Sequence, residues 1–184
     1  EVGNPDLEAE RGLGIEGGFT YAGERLACGV TLFRNAIDGY VYSRNTGDTS
    51  FRTLLPIYQA SGGDVEMIGG EASLGLALTD EVSLSTVAAY VRGTLRDEGT
   101  PLPSIPPLNG HVDLNWTSGD LQFRIGARWS GPQNRVGEFE TPTDGYVVFD
   151  ALAQYRLATG DILHVIVLAL DNGLDTEYRQ HLSR

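Results

Sequence analysis

Apolar and polar residues alternate one for one along much of this chain, and strict period two commits a segment to a strand with two unlike faces. From Leu121 to Trp129 one parity reads Leu, Phe, Ile, Ala, Trp and the other Gln, Arg, Gly, Arg. Val112 to Trp116 alternates Val, Asp, Leu, Asn, Trp, and Ala72 to Leu78 and Tyr146 to Leu157 continue the pattern. Near the start, Leu13, Ile15, Phe19 and Tyr21 share a face opposite Glu16 and Thr20. Three more segments, about Leu26 to Tyr42, Val82 to Arg92 and Ile162 to Asn172, alternate less cleanly. The pattern predicts about eight strands and no helix, an all-β antiparallel fold within one domain.

The links between these strands fall into two kinds, and the kinds take turns. Short polar turns occupy 22–25, 79–81, 117–120 and 158–161, whereas long links run over about Ser43 to Asp64, Gly93 to Asn109 and Ser130 to Gly145. Tight turns at one end and long loops at the other are the layout of an outer-membrane β-barrel. On that reading the apolar parity faces lipid and the polar parity the lumen. Tyr21, Trp116 and Tyr155 beside the short turns, and Tyr90 and Trp129 beside the long loops, supply two interfacial girdles.

Composition narrows the function. The 13 basic residues are all arginine and face 25 carboxylates, a net charge of -12, which argues against a nucleic-acid partner. No apolar run reaches the roughly 18 residues of a membrane-spanning helix. The acidic start, Glu1 to Glu10, lacks the pattern of a secretory signal. The single cysteine, Cys28, excludes an internal disulfide. Ser61-Gly62-Gly63 and Ser118-Gly119 lack the setting of a nucleophile elbow. His111, His164 and His181 are too dispersed for a metal motif and read as separate surface or lumen residues. No catalytic residue, metal site or cofactor site is expected, and the chain reads as no enzyme.

Several stretches resemble the late barrel of TonB-dependent outer-membrane receptors. Asn4-Pro5-Asp6-Leu7-Glu8-Ala9-Glu10 resembles the family's N-P-x-L-x-P-E, with Ala9 in place of proline, and Gly70-Glu71 is similar to a strand start. Leu102 to Pro107 resembles L-P-x-I-P-P, and Thr143-Asp144-Gly145-Tyr146 with Asp150 resembles T-x-G-Y-x-x-x-D. Asp171 to Tyr178 with His181-Leu182-Ser183 is similar to N-L-F-D-x-x-Y-x-x-H-L-S, interrupted by Gly173. The resemblance implies a barrel of about 22 strands, plugged by an N-terminal domain. It also implies import of a scarce nutrient energised by TonB. Counting crossings puts both chain ends on the long-link side, whereas complete barrels of this class keep both in the periplasm. Residues 1–184 are therefore expected to be an excerpt, without plug, early strands or last strand.

Site expectations follow from the same parity. Glu71, Asp113, Arg124, Arg128, Asp150 and Arg156 are expected to face the lumen as a charge ladder, because unpaired charges in a wall are costly. Asp97 and Glu98, in the proline-rich second long link, are the expected ligand-facing carboxylates, and the cargo expected is a metal chelate such as a siderophore, or a metal ion. Outer-membrane lipid and lipopolysaccharide are the expected surroundings, and TonB the partner through a plug outside this chain. The competing readings are a self-contained eight-stranded outer-membrane barrel, serving as adhesin or structural protein, and a soluble carbohydrate-binding β-sandwich.

Overall fold

Nine strands form one antiparallel sheet: β1 Arg11–Ala22, β2 Leu26–Thr49, β3 Pro56–Ala77, β4 Val82–Leu95, β5 Thr100–Pro101, β6 Asn109–Ser118, β7 Leu121–Ser130, β8 Tyr146–Thr159 and β9 Ile162–Leu170. The computed structural model describes residues 3–138 and 140–183, so Glu1, Val2, Phe139 and Arg184 of the expected 1–184 segment lie outside the described residues. Each strand pairs with the next in sequence, apart from β5, which pairs β4 while β4 continues to β6. Among the described residues the sheet is open, and β1 and β9 are its edges.

Two of the four short turns are tighter than the spacing required. Ser118 pairs with Leu121 and Thr159 with Ile162, leaving two-residue Gly-Asp turns. Gly119 and Gly160 sit at φ of +56° and +61°, the left-handed conformation that the first position of such a hairpin turn needs. At the opposite end the first long link is largely not a loop. Where 43–64 was expected to be irregular, β2 runs on to Thr49 and β3 begins at Pro56. Polar side chains on both faces of that stretch hid the alternation, since a hairpin standing in water has no apolar face to reveal its period. The two-residue β5, inside the second link, was likewise not expected.

Register assigns every wall residue to a face. Leu13, Ile15, Phe19, Val30, Ile68, Leu74, Phe123, Ile125 and Phe149 fall on one side, together with all five expected girdle aromatics. The apolar surface is open, Leu13 being 72% and Leu168 71% exposed. Between Tyr21 and Arg11 the apolar parity of β1 covers about ten residues, which at a ~40° tilt spans the roughly 25 Å apolar band of a membrane barrel. Within the apolar face one cross-strand row carries two arginines, Arg34 and Arg92, on either side of Ile68, and it meets β1 at Ile15.

A bulge above this row changes the rule. Asp38 and Gly39 of β2 together oppose Asp64 of β3, so the pairing passes from Ile37–Val65 to Tyr40–Gly63. Gly39 takes φ +68° and donates its N–H to Asp64 Oδ1 at 3.2 Å. Arg96 ties the bulge together, reaching Asp38 Oδ1 at 2.5 Å and Asp64 Oδ2 at 3.6 Å. Beyond it Tyr40, Tyr42 and Arg44 continue the polar face on even numbers.

Candidate functional site at the long-link end

The long links turn back onto the polar face and pack there. The residues that anchor them are Leu102, 1% exposed, against Val65, 0% exposed, and Leu95, with Tyr40, Tyr42, Met67 and Ile105 around them. Gly93 permits this approach: a Cβ there would lie 2.9 Å from Leu102 Cβ and 2.9 Å from Ile105 Cδ1. Leu102 is buried and Ile105 partly buried, which accounts for the L-P-x-I-P-P stretch: Pro103 restricts the chain between these two apolar anchors, and Pro106 and Pro107 restrict it just after them.

The third link joins the second through Glu140. Its carboxylate accepts the Ser104 N–H and the Gly137 N–H, each at 2.7 Å, while Gln133 Nε2 donates to the Ile105 carbonyl at 2.8 Å. Residues 171–183 then lie over the third link. Arg179 donates to Thr141 Oγ1 at 3.0 Å and to the Pro142 carbonyl at 3.1 Å, and Tyr178 stacks on Tyr146 with centroids 4.5 Å apart. His181 was expected as a separate surface or lumen residue, but its side chain is only 3% exposed. Nδ1 meets Thr143 Oγ1 at 3.2 Å, and Nε2, 4.0 Å from Glu140 Oε1, has no hydrogen-bond partner. Spacing could not reveal this, because His181 and Glu140 approach only when the last segment folds back.

The expected wall residues Glu71, Asp113, Arg124, Arg128, Asp150 and Arg156 all fall on the polar face. Arg128 donates to Asp150 Oδ2 at 2.7 Å and to Asp171 Oδ1 at 2.9 Å, and Asp150 also accepts the Asn172 N–H at 3.1 Å. Asp113 lies 3.9 Å from Arg124 Nε and 3.7 Å from His111 Nε2. Glu71 and Arg156 enter no ion pair among the described residues, so the ladder is built on β6 to β8. Arg128 remains partly exposed, and such pairs contribute about 1 kcal/mol or less. Their main effect is to fix where residues 171–172 leave the wall.

Asp97 and Glu98 are neighbours in sequence but line different hollows. Asp97 joins Asp6, Glu8, Asp38 and Asp64 around an acidic depression of about 900 Å³. Glu98 lines a cleft of about 390 Å³ with Tyr42, Arg44, Thr100, Pro103 and Glu138, and it pairs with Arg44 Nη1 at 3.3 Å. Burial raises the Tyr42 phenol above its ordinary range, the Glu98 charge adds to this, and Arg44 opposes it. Among the described residues no set of three or more His, Cys, Asp or Glu side chains is arranged to hold a metal ion. The arrangement offers instead an aromatic hydroxyl, a guanidinium and carboxylates around one cleft, a surface suited to a polar solute with hydrogen-bonding edges. Sequence reasoning missed Tyr42 and Arg44, which it placed at the end of a strand and in a loop.

Comparison with known proteins gives a consistent answer. The family model described as "TonB dependent receptor-like, beta-barrel" matches residues 1–172. The iron-regulated outer membrane virulence protein of Vibrio cholerae serotype O1 is 28% identical over 129 residues, 64% of this chain and 20% of that protein. The fold matches the copper transporter OprC with a TM-score of 0.89 at 22% identity, over 98% of this chain and 28% of that one. It also matches the ferric enterobactin receptor PfeA of Pseudomonas aeruginosa with a TM-score of 0.72 at 24% identity, over 92% of this chain and 26% of that one. The chain thus spans between 20% and 28% of the length of these three proteins. An all-β antiparallel sheet with an apolar and a polar face, short turns at one end and folded links at the other, is what the matched family builds in the Gram-negative outer membrane, and the chain belongs to the TonB-dependent receptor β-barrel family.

Proposed function

We propose that residues 1–184 form part of the barrel wall of a TonB-energised outer-membrane receptor that imports a metal chelate such as a siderophore, or a metal ion. The wall contributes surface and loops rather than chemistry, so the chain acts as no enzyme. The observation that carries this reading is the folding of the second and third links and of residues 171–183 onto the polar face. A receptor needs its ligand surface there, at the outer end of the lumen. Glu71, Asp113, Arg124, Arg128, Asp150 and Arg156 would line that lumen, and Asp97 and Glu98 would face incoming cargo. TonB would act through a plug contributed elsewhere in the receptor, and lipid with lipopolysaccharide would surround the apolar face. The names of the similar proteins, an iron-regulated protein, a copper transporter and a ferric enterobactin receptor, support a metal-linked cargo.

Uptake by cells expressing the intact receptor tests this. Metal-linked uptake that depends on TonB is expected, together with weakened uptake when Asp97 and Glu98 are changed to alanine. Absence of metal-linked uptake in the unaltered receptor would overturn the cargo. Uptake unaffected by the substitutions would remove these two carboxylates from the site.

A further inference from the structure

Where the last segment closes on the loops, one buried polar atom is left without a partner. The His181 side chain is 3% exposed, and among the described residues its Nε2 has no hydrogen-bond partner. Nδ1 lies 3.2 Å from Thr143 Oγ1, while Nε2 faces Glu140 Oε1 at 4.0 Å. Glu140 already accepts the Ser104 and Gly137 amides, yet among the described residues no arginine pairs with it. Arg179, on the same segment as His181, is turned to Thr141 and the Pro142 carbonyl. Ser104 is held at φ +60°, a conformation that residues other than glycine rarely adopt, so release of its amide would let the backbone relax. A neutral imidazole cannot suit both neighbours. With the proton on Nδ1, a bare lone pair faces a carboxylate; with the proton on Nε2, the donor stops 4.0 Å short of its acceptor. An imidazolium serves both, donating from Nδ1 to Thr143 Oγ1 and setting its second N–H and its charge against Glu140.

We propose that His181 and Glu140 form a proton-operated clasp, which firms the wall of the Glu98 cleft when the imidazole is charged. Gly137 lines that cleft, as does Pro103, the residue before Ser104, so the two amides held by Glu140 belong to its rim. That this rim meets cargo rests on the reading above; the clasp itself needs no cargo. A proton is taken up on clasping. The clasp is therefore firm on the acid side of the histidine range and loosens as pH rises through it.

Hydrogen exchange of the full-length receptor in liposomes tests this at about pH 5.5 and about pH 7.5, either side of the ordinary histidine range, with the intrinsic pH dependence of amide exchange divided out. Protection at Ser104 and Gly137 is expected to be about tenfold greater at the lower pH, the effect of one charge-assisted contact, while the β6 and β7 amides are equally protected at both. His181→Gln, which keeps a donor but takes up no proton, is expected to give the same loop protection at both pH values. Glu140→Gln keeps an acceptor without the charge and is expected to abolish the difference as well. Equal or reversed protection in the unaltered receptor overturns the clasp, as does a pH difference that survives in either variant. The uptake measurement described above separates the two levels. Absence of metal-linked uptake removes the cargo from the rim and leaves the clasp standing, whereas absence of the pH difference removes the clasp and leaves the uptake reading intact.

Discussion

Arg124 and Ile125 are adjacent on β7, yet they answer to different solvents. Arg124 shares the polar face with Asp113, while Ile125 lies among the apolar residues of the opposite face and is 59% exposed. In water that exposure would be a liability; in hydrocarbon it is the stable arrangement. Ile125→Arg is accordingly expected to destabilise the folded receptor by about 2 to 4 kcal/mol, and Arg124→Leu by much less. Unfolding free energies measured in liposomes check the order, and the reverse order would contradict the facing. The same contrast explains Trp116, whose ring packs on Phe123 at 5.7 Å while its Nε1–H reaches Glu81 Oε2 at 3.2 Å. An indole with one apolar side and one satisfied donor belongs where hydrocarbon ends and water begins.

At the level of elements, what anchored each segment decides how well it could be read. β6, β7 and β8 alternate cleanly because one face must stay apolar, and their parity put five of the six wall charges on a common face in advance, the sixth, Glu71, lying on β3. The upper halves of β2 and β3 carry no such constraint, so 43–64 looked like a loop although cross-strand pairing continues through it. The loop cluster was legible only in part: L-P-x-I-P-P stood out, but its burial beneath Tyr40 and Tyr42 depends on contacts distant in sequence. The last segment was least legible, since its role lies in the contacts of Arg179 and His181 with the third link. His181→Ala is expected to free residues 131–145, and with them the Ser104 amide held by Glu140. Hydrogen exchange in the reconstituted receptor would show faster exchange at Ser104 and Gly137, with the β6 and β7 amides unaltered. Unchanged exchange at both loop amides would show that the loops hold themselves.

For the molecule as a whole, the two faces make a claim that one experiment reads directly. Spin labels at Phe123 and at Arg124 are expected to show opposite accessibility, the first to oxygen dissolved in the bilayer and the second to a water-soluble quencher. Equal accessibility would contradict a membrane wall. The sheet that creates these faces covers only part of a circumference, and neither β1 nor β9 finds a further partner among the described residues. Hydrocarbon cannot satisfy a bare strand edge, so these strands require neighbours from the rest of a barrel. Within that wall the bulge at Asp38 and Gly39 works like a clutch between two gears. By spending one extra residue where the apolar band ends, the chain uncouples the parity of the projecting hairpin from the parity below it. The faces that the hairpin presents are therefore not dictated by the alternation of the strand segments below it.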